Sequence, residues 1–209
     1  MLPRILLTLL AFLVARPADA HPHVWVTFHS EVVYTPTGAM TAIRHIWTFD
    51  DMYSAFALQG IAHAKKDEYT RDELTSLAQL NMKSLKTYDY FTYAKADGRK
   101  IVFSNPVDSW LSYIESTLTL HFTLPLKAPI AAKRMEIEVY DPSIFVDFEF
   151  AKEKPALLEG ASQCQLKPEF PRQPTSREQQ LMSELDNDPD AVSSTYGEVF
   201  ANKILVTCP

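Results

Sequence analysis

Hydrophobic side chains fall on every second residue in one short segment after another along this chain, and that period is broken only once before residue 150. His23 to Tyr34 sets Val24, Val26 and Phe28 against Trp25, Thr27 and His29. Met40 to Phe49 sets Ile43, His45, Trp47 and Phe49 against Arg44, Ile46, Thr48 and, just beyond, Asp50. Alternation of this kind turns one face of an extended strand toward a core and the other toward water. Thr35-Pro36-Thr37-Gly38 supplies turn residues between the two, so the chain is expected to open with an antiparallel hairpin. The same pattern returns in Phe91–Lys95, Lys100–Phe103, Trp110–Ile114, Thr117–Thr123, Met135–Tyr140 and Phe145–Phe150, most of them bounded by Pro or Gly.

The interruption, residues 51–86, has a helical period. Asp50 or Asp51 can cap a helix in which Met52, Phe56, Leu58 and Ile61 form an apolar side running to about Ala64. Thr70 and Glu73 have capping-box spacing, and Leu74, Leu77, Ala78, Met82 and Leu85 then recur at three and four residues. The two helices are expected to form a helical hairpin. The fold class is accordingly mainly β (α+β), an antiparallel β-sandwich or strongly bent sheet over residues 21–150 with the hairpin inserted at 51–86. Residues 151–174, rich in Lys, Glu, Pro and Gly, read as a linker. Residues 175–209 read as a helical tail: Thr175 and Glu178 form a second capping box, Asp188-Pro189 can start another helix, and Ile204 to Thr207 is a short terminal strand.

Residues 1–20 read as a secretion signal, with Arg4 as the positive end, an apolar run from Ile5 to Val14, and Ala18-Asp19-Ala20 as the cleavage motif. The run is too short to span a bilayer. For a bacterial chain the destination is the periplasm. Losing Arg4, Arg16 and Asp19 with the leader takes the net charge from −6 to −7, which argues against nucleic acid as a partner and tolerates a cation. The two cysteines, Cys164 and Cys208, are in an oxidising compartment most simply a disulfide that pins the tail; the alternative, a pair of thiolate metal ligands, lacks a C-x-x-C or a neighbouring histidine.

Cleavage after Ala20 would begin the mature chain at His21-Pro22-His23, placing an α-amine and two imidazoles within three residues. An N-terminal histidine chelates a divalent transition metal through its amine and Nδ1. Pro22 has no amide hydrogen to lose, which blocks the square-planar amide mode and leaves His23 to reach an ion by its ring. On an extended strand His21 and His23 point the same way. The expected metal set is His21 and His23, with His121 or Asp50 completing it; the ion is zinc, nickel, cobalt or copper. Each of these also has an ordinary role: a polar strand start for the pair, an exposed strand residue for His121, a helix cap for Asp50. His45 shares a face with Trp47 and Phe49 and reads as core, and His63 beside Lys65 and Lys66 as solvated. Asp141 before Pro142 reads as a turn former. The acid-rich run 67–73 lacks the alternating oxygen ligands and central glycine of a calcium loop. No G-x-S-x-G, P-loop, dinucleotide fingerprint or H-E-x-x-H is present, so no enzyme is expected beyond the alternative of a copper histidine-brace oxidase.

His21-Pro22-His23-Val24-Trp25-Val26, Ile46-Trp47-Thr48-Phe49-Asp50 with Tyr53-Ser54, Tyr88 to Tyr93, Leu120 to Pro125, and Val139-Tyr140-Asp141-Pro142 occur in that order. Together they resemble a bacterial secreted family of unknown function described as the periplasmic component of an uncharacterised ABC-type transport system. Its members often accompany nickel, cobalt or zinc transporters. The resemblance implies an accessory that binds a divalent transition metal for an inner-membrane metal transporter. The alternative is a ligand-free structural or partner-binding module of such a transporter.

Overall fold

The computed structural model describes residues 23–66, 68–160, 163–185 and 197–209. The leader expected at 1–20, His21, and most of the second tail helix expected from Asp188 lie outside the described residues.

The alternating segments become strands of two sheets. The opening hairpin is β1 (Val24–Tyr34) and β2 (Met40–Phe49), paired antiparallel with Phe28 opposite Trp47. β5 (Val107–Ile114) and β6 (Thr117–Ile130) extend it on the β2 side. On the other edge of β1 two strands line up one after the other, both parallel to it: β8 (Val146–Phe150) against Val24–Phe28, and β9 (Ala156–Glu159) against Ser30–Val33. The second sheet is antiparallel in the order β10-β11-β7-β3-β4, with β3 (Thr92–Ala96), β4 (Arg99–Ile101), β7 (Arg134–Val139), β10 (Gln165–Glu169) and β11 (Asn202–Thr207).

The inner faces of both sheets enter one hydrophobic core. Phe28, Trp47, Leu120 and Phe122 come from the first sheet, and Ala94, Met135, Ile137 and Ile204 from the second. His45 crosses between them: fully buried, its Nδ1 lies 2.9 Å from the Ser30 hydroxyl and its Nε2 3.2 Å from that of Thr92 on β3. Burial and, secondarily, the nearby His29 push its pKa down to about 3, so the buried imidazole is neutral.

The helical insert departs from expectation in extent. α1 is Asp51–Ala57, shorter than the run to Ala64, because the chain turns at Gly60, whose φ of 80° is left-handed. The Thr70–Glu73 capping box forms, with the Thr70 N–H donating to Glu73 Oε2 at 2.7 Å, ahead of α2 (Thr75–Leu85). α2 buries Leu77, Ala78 and Met82. Among the described residues no helix is long and apolar enough to cross a membrane.

The stretch read as a linker, 151–174, holds β9 and β10. β9 is only four residues long, without a clear alternation, and β10 is polar, lying at the edge of its sheet where charged side chains and a proline such as Pro168 are tolerated. The helix of the second capping box, α3 (Ser176–Leu185), forms as expected. β11 runs between β10 and β7, so the end of the chain is a strand inside the second sheet. The Cys164–Cys208 disulfide closes this arrangement by joining the residue before β10 to the residue after β11.

Two stability experiments follow from the core and the disulfide. Replacing both Cys164 and Cys208 by Ala frees a loop with a sequence separation of 44 residues and, on chain entropy, lowers the unfolding free energy by roughly 4 kcal/mol; denaturant unfolding of the double variant measures it. The unfolded chain takes up a proton at His45 near the ordinary 6.5, while the folded chain resists until about 3. Stability is therefore complete above pH 6.5 and falls with acidification through that window, by up to about 1.4 kcal/mol per pH unit. His45→Gln is expected to flatten that slope in unfolding curves recorded between pH 7 and 4.

Candidate ligand-binding site

Two carboxylates shape the end of the first sheet where β1 begins. Asp50 ends β2 and caps α1: its Oδ1 accepts the Tyr53 N–H at 2.8 Å, and its Oδ2 accepts the Trp25 N–H of β1 at 3.0 Å. Asp141 does the same for the turn that leads into β8. It is 4% exposed; Oδ1 accepts from the Ser143 N–H at 2.8 Å and hydroxyl at 2.7 Å, and Oδ2 accepts the Val146 N–H at 2.9 Å. That turn presents the Phe145 carbonyl, which accepts the His23 N–H at 2.9 Å.

Between this end of the sheet and the helical insert lies a cavity of about 460 Å³, within the size range of small-molecule sites. Val24 and Val26 of β1, Trp47 and Phe49 of β2, and Val146 and Phe148 of β8 supply the sheet side. Asn81, Ser84 and Leu85 of α2 face them, with Tyr53 from α1 and Tyr88 and Phe91 from the 3-10 turn Lys86–Phe91. Asp141, Ser143 and Phe145 complete the lining. In that 3-10 turn Asp89, Tyr90 and Phe91 have successive φ values of 50°, 54° and 49°. Left-handed backbone at three consecutive non-glycine residues is costly and persists only where the surroundings dictate it. Here it sets the wall formed by Tyr88 and Phe91.

Two residues of the lining carry buried donors without acceptors. The indole N–H of Trp47 and the carboxamide nitrogen of Asn81 are buried and make no hydrogen bond. Both residues line the cavity, Trp47 from the sheet and Asn81 from α2, but through other atoms, since these two nitrogens are closed off from solvent. Tyr53 has its pKa raised by burial and then by the negative charge of Asp50, so its hydroxyl stays protonated at neutral pH.

The residues expected to form a metal set are placed unequally. His23 is exposed at the start of β1, its ring 4.8 Å from that of Phe145 at the cavity rim. Asp50 shares this corner through Trp25, yet both its oxygens already hold backbone N–H groups, which is the cap role. His121 is not brought to them. It pairs with Ile46, which pairs with His29, six residues along β1 from His23, so at about 3.3 Å per residue it stands roughly 20 Å away along the strands. There its ring stacks on Trp110 at 3.7 Å, with the Arg71 guanidinium 4.6 Å from the same indole. Burial and then Arg71 lower its pKa. Among the described residues no three His, Cys, Asp or Glu side chains converge as a metal site.

The cavity itself was not among the sequence expectations, although signals for it existed. Asn81 sits in the apolar stripe of α2 between Ala78 and Met82, a polar residue at a core-facing position. Four of the segments that carry the family resemblance each contribute lining residues: Val24 and Val26; Trp47, Phe49 and Tyr53; Tyr88 and Phe91; Asp141. Segments far apart in the chain thus share one destination.

Residues 6–208 match the sequence model of a family described as a protein of unknown function, DUF1007. An uncharacterised protein of Haemophilus influenzae is 24% identical over 194 residues, covering 90% of this chain and 91% of its own length. An uncharacterised 15.5 kDa protein encoded in the trpE 3′ region of Spirochaeta aurantia is 30% identical over 87 residues, or 41% of this chain and 62% of that protein.

Proposed function

The chain belongs to the DUF1007 family of proteins of unknown function, and from that premise we propose that it is an exported, non-catalytic binding component of a transport system, with the aromatic cavity as its ligand site. The observation that carries the reading is the convergence of the resembling segments on that single cavity. Export is supported by the leader pattern at 1–20 and by a disulfide suited to an oxidising compartment such as the periplasm. A binding role is supported by the state of Asp141, the one carboxylate among the described lining residues. Its oxygens accept three hydrogen bonds from its own turn, which is a structural use of the group.

A neutral fluorescent probe tests this directly. N-phenyl-1-naphthylamine is expected to brighten with saturable, one-site binding to the purified protein. Ser84→Trp, a large residue at an exposed α2 position on the cavity, is expected to abolish that signal without lowering the melting temperature. Undiminished binding by the variant would place the probe elsewhere and reject the site.

A second reading is that His21 and His23 hold a divalent transition ion, zinc, nickel, cobalt or copper, for an inner-membrane metal transporter. The place of His23 at the cavity rim beside Phe145 favours it. In titrations of the mature protein with Zn²⁺, Ni²⁺ and Cu²⁺, His21→Ala with His23→Ala is expected to lose binding, whereas His121→Ala, roughly 20 Å away along the strands, keeps it. Equal loss in His121→Ala, or no loss in the double variant, rejects the N-terminal site.

A further inference from the structure

A second cavity, of about 290 Å³, lies beside β3 in the other sheet. It exists because β4 is short. β4 pairs with β3 only from Ala94 to Ala96, and the chain then leaves for the first sheet, where Phe103 bridges Leu126 of β6. Thr92 and Tyr93 are left without a β4 partner, and they line this space together with Ile101, Val102 and Phe103. The left-handed turn serves both cavities: Tyr88 and Phe91 line the aromatic one, Asp89 and Tyr90 this one.

Strand register fixes which side chains share a face here. Lys95 stands opposite Lys100 and Tyr93 opposite Glu138, with the Tyr140 ring 4.6 Å from that of Tyr93. Like charges directly opposite each other across a strand pair are unfavourable. Glu138 offsets this only in part: 2% exposed, it accepts from Lys95 Nζ at 3.4 Å and more closely from Lys203 Nζ at 2.6 Å. Lys100 is exposed and has no carboxylate partner among the described residues. One end of the cavity therefore keeps an unneutralised ammonium.

The other end is acidic. Asp89 precedes β3, and Glu198 belongs to the 3-10 turn Gly197–Phe200; both line the cavity, both are exposed, and neither forms an ion pair with a described residue. Burial and then Asp89 push the Tyr93 phenol up to about 12, and burial and then Glu198 raise that of Tyr140, so both negative charges are felt at the tyrosine pair. Two residues of strand, about 7 Å, already separate Lys95 from Tyr93.

We infer that this cavity is a second binding site, for a small zwitterion whose ammonium and carboxylate are several carbon atoms apart. The carboxylate meets Lys100 and Lys95, the ammonium meets Asp89 and Glu198, and the chain between them lies along Tyr93 and Tyr140. An α-amino acid, with both groups on one carbon, is too short to reach both ends. The inference stands independently of the aromatic cavity.

Three compounds with one chain and different ends test it: 6-aminohexanoate, hexylamine and hexanoate. In calorimetric titrations of the purified protein the zwitterion is expected to bind about tenfold more tightly than either single-charge compound, as one charge-assisted hydrogen bond warrants. Lys100→Gln, at an exposed position, is expected to bring the zwitterion down to the level of hexylamine. Glu198→Gln, and Asp89→Asn, which keeps a side chain tolerant of left-handed backbone, are expected to bring it toward hexanoate. Lys83→Gln, an exposed α2 position outside the lining, is expected to change nothing. A single-charge compound that binds as well as the zwitterion, or undiminished zwitterion binding by Lys100→Gln, rejects the inference.

Discussion

Both edges of β1 are occupied along most of its length, and the rest of the molecule is arranged by that fact. On one side it pairs with β2 through an unbroken antiparallel register from Val26 to Val33; on the other it receives β8 and then β9 in parallel. A parallel partner cannot be reached by a tight hairpin, so the chain must travel through the helical insert and most of the second sheet before β8 can return to β1. The insert is left against the end of the first sheet. The space between them, too wide for the side chains that line it, is the cavity. The same strand fixes the rim, because its first residues are held by the Phe145 carbonyl and by Asp50.

Several locally unfavourable features coincide at this place. The left-handed run at Asp89, Tyr90 and Phe91 adjoins the cavity, and Asp141 and the two residues with unpaired nitrogens, Trp47 and Asn81, are among those that line it. Elsewhere there are ordinary features too: alternating strands, a capping box that closes, a buried histidine with both nitrogens partnered. Three consecutive left-handed non-glycine residues are a strain that the surroundings must hold in place, and such strain is found at functional sites. The Trp47 donor makes the contrast sharp. It lies on the same β2 face as His45, two residues away, whose ring nitrogens both find hydroxyls.

How much of this the sequence disclosed depended on whether the information was local. The strands of the first sheet were legible because Val24, Val26 and Phe28, or Leu118, Leu120 and Phe122, bury one face and alternate with polar neighbours. The β-rich class with a helical insert and the Cys164–Cys208 bond follow from such patterns. β9, four residues long, and β10, with Lys, Pro and Glu, were not legible because neither carries an alternating signature, and β11 gave no hint that it lies between β10 and β7. The cavity was still less visible. Its walls are ordinary core residues one by one, and only the three-dimensional return of β8 to β1 makes Phe148 and Asn81 neighbours of one space. The spatial separation of His121 from His23 is likewise a property of register, because residue types record nothing of the distance along a sheet.

The cavity and the histidine-bearing rim obey one electrostatic logic. The chain is acidic overall, with a net charge of −6, and Asp50 and Asp141 lie at the end of the sheet where β1 begins. A negative local potential opposes a carboxylate entering the cavity. At the solvent-facing rim the same potential lowers the energy of a cation held by imidazole nitrogen, although solvent weakens the effect there. An uncharged occupant is indifferent to this field and responds to the apolar walls instead. The two readings of this end of the molecule therefore do not compete for the same chemistry: a cation would be held outside, by nitrogen donors from the start of the chain, and an uncharged apolar molecule inside, by the aromatic walls.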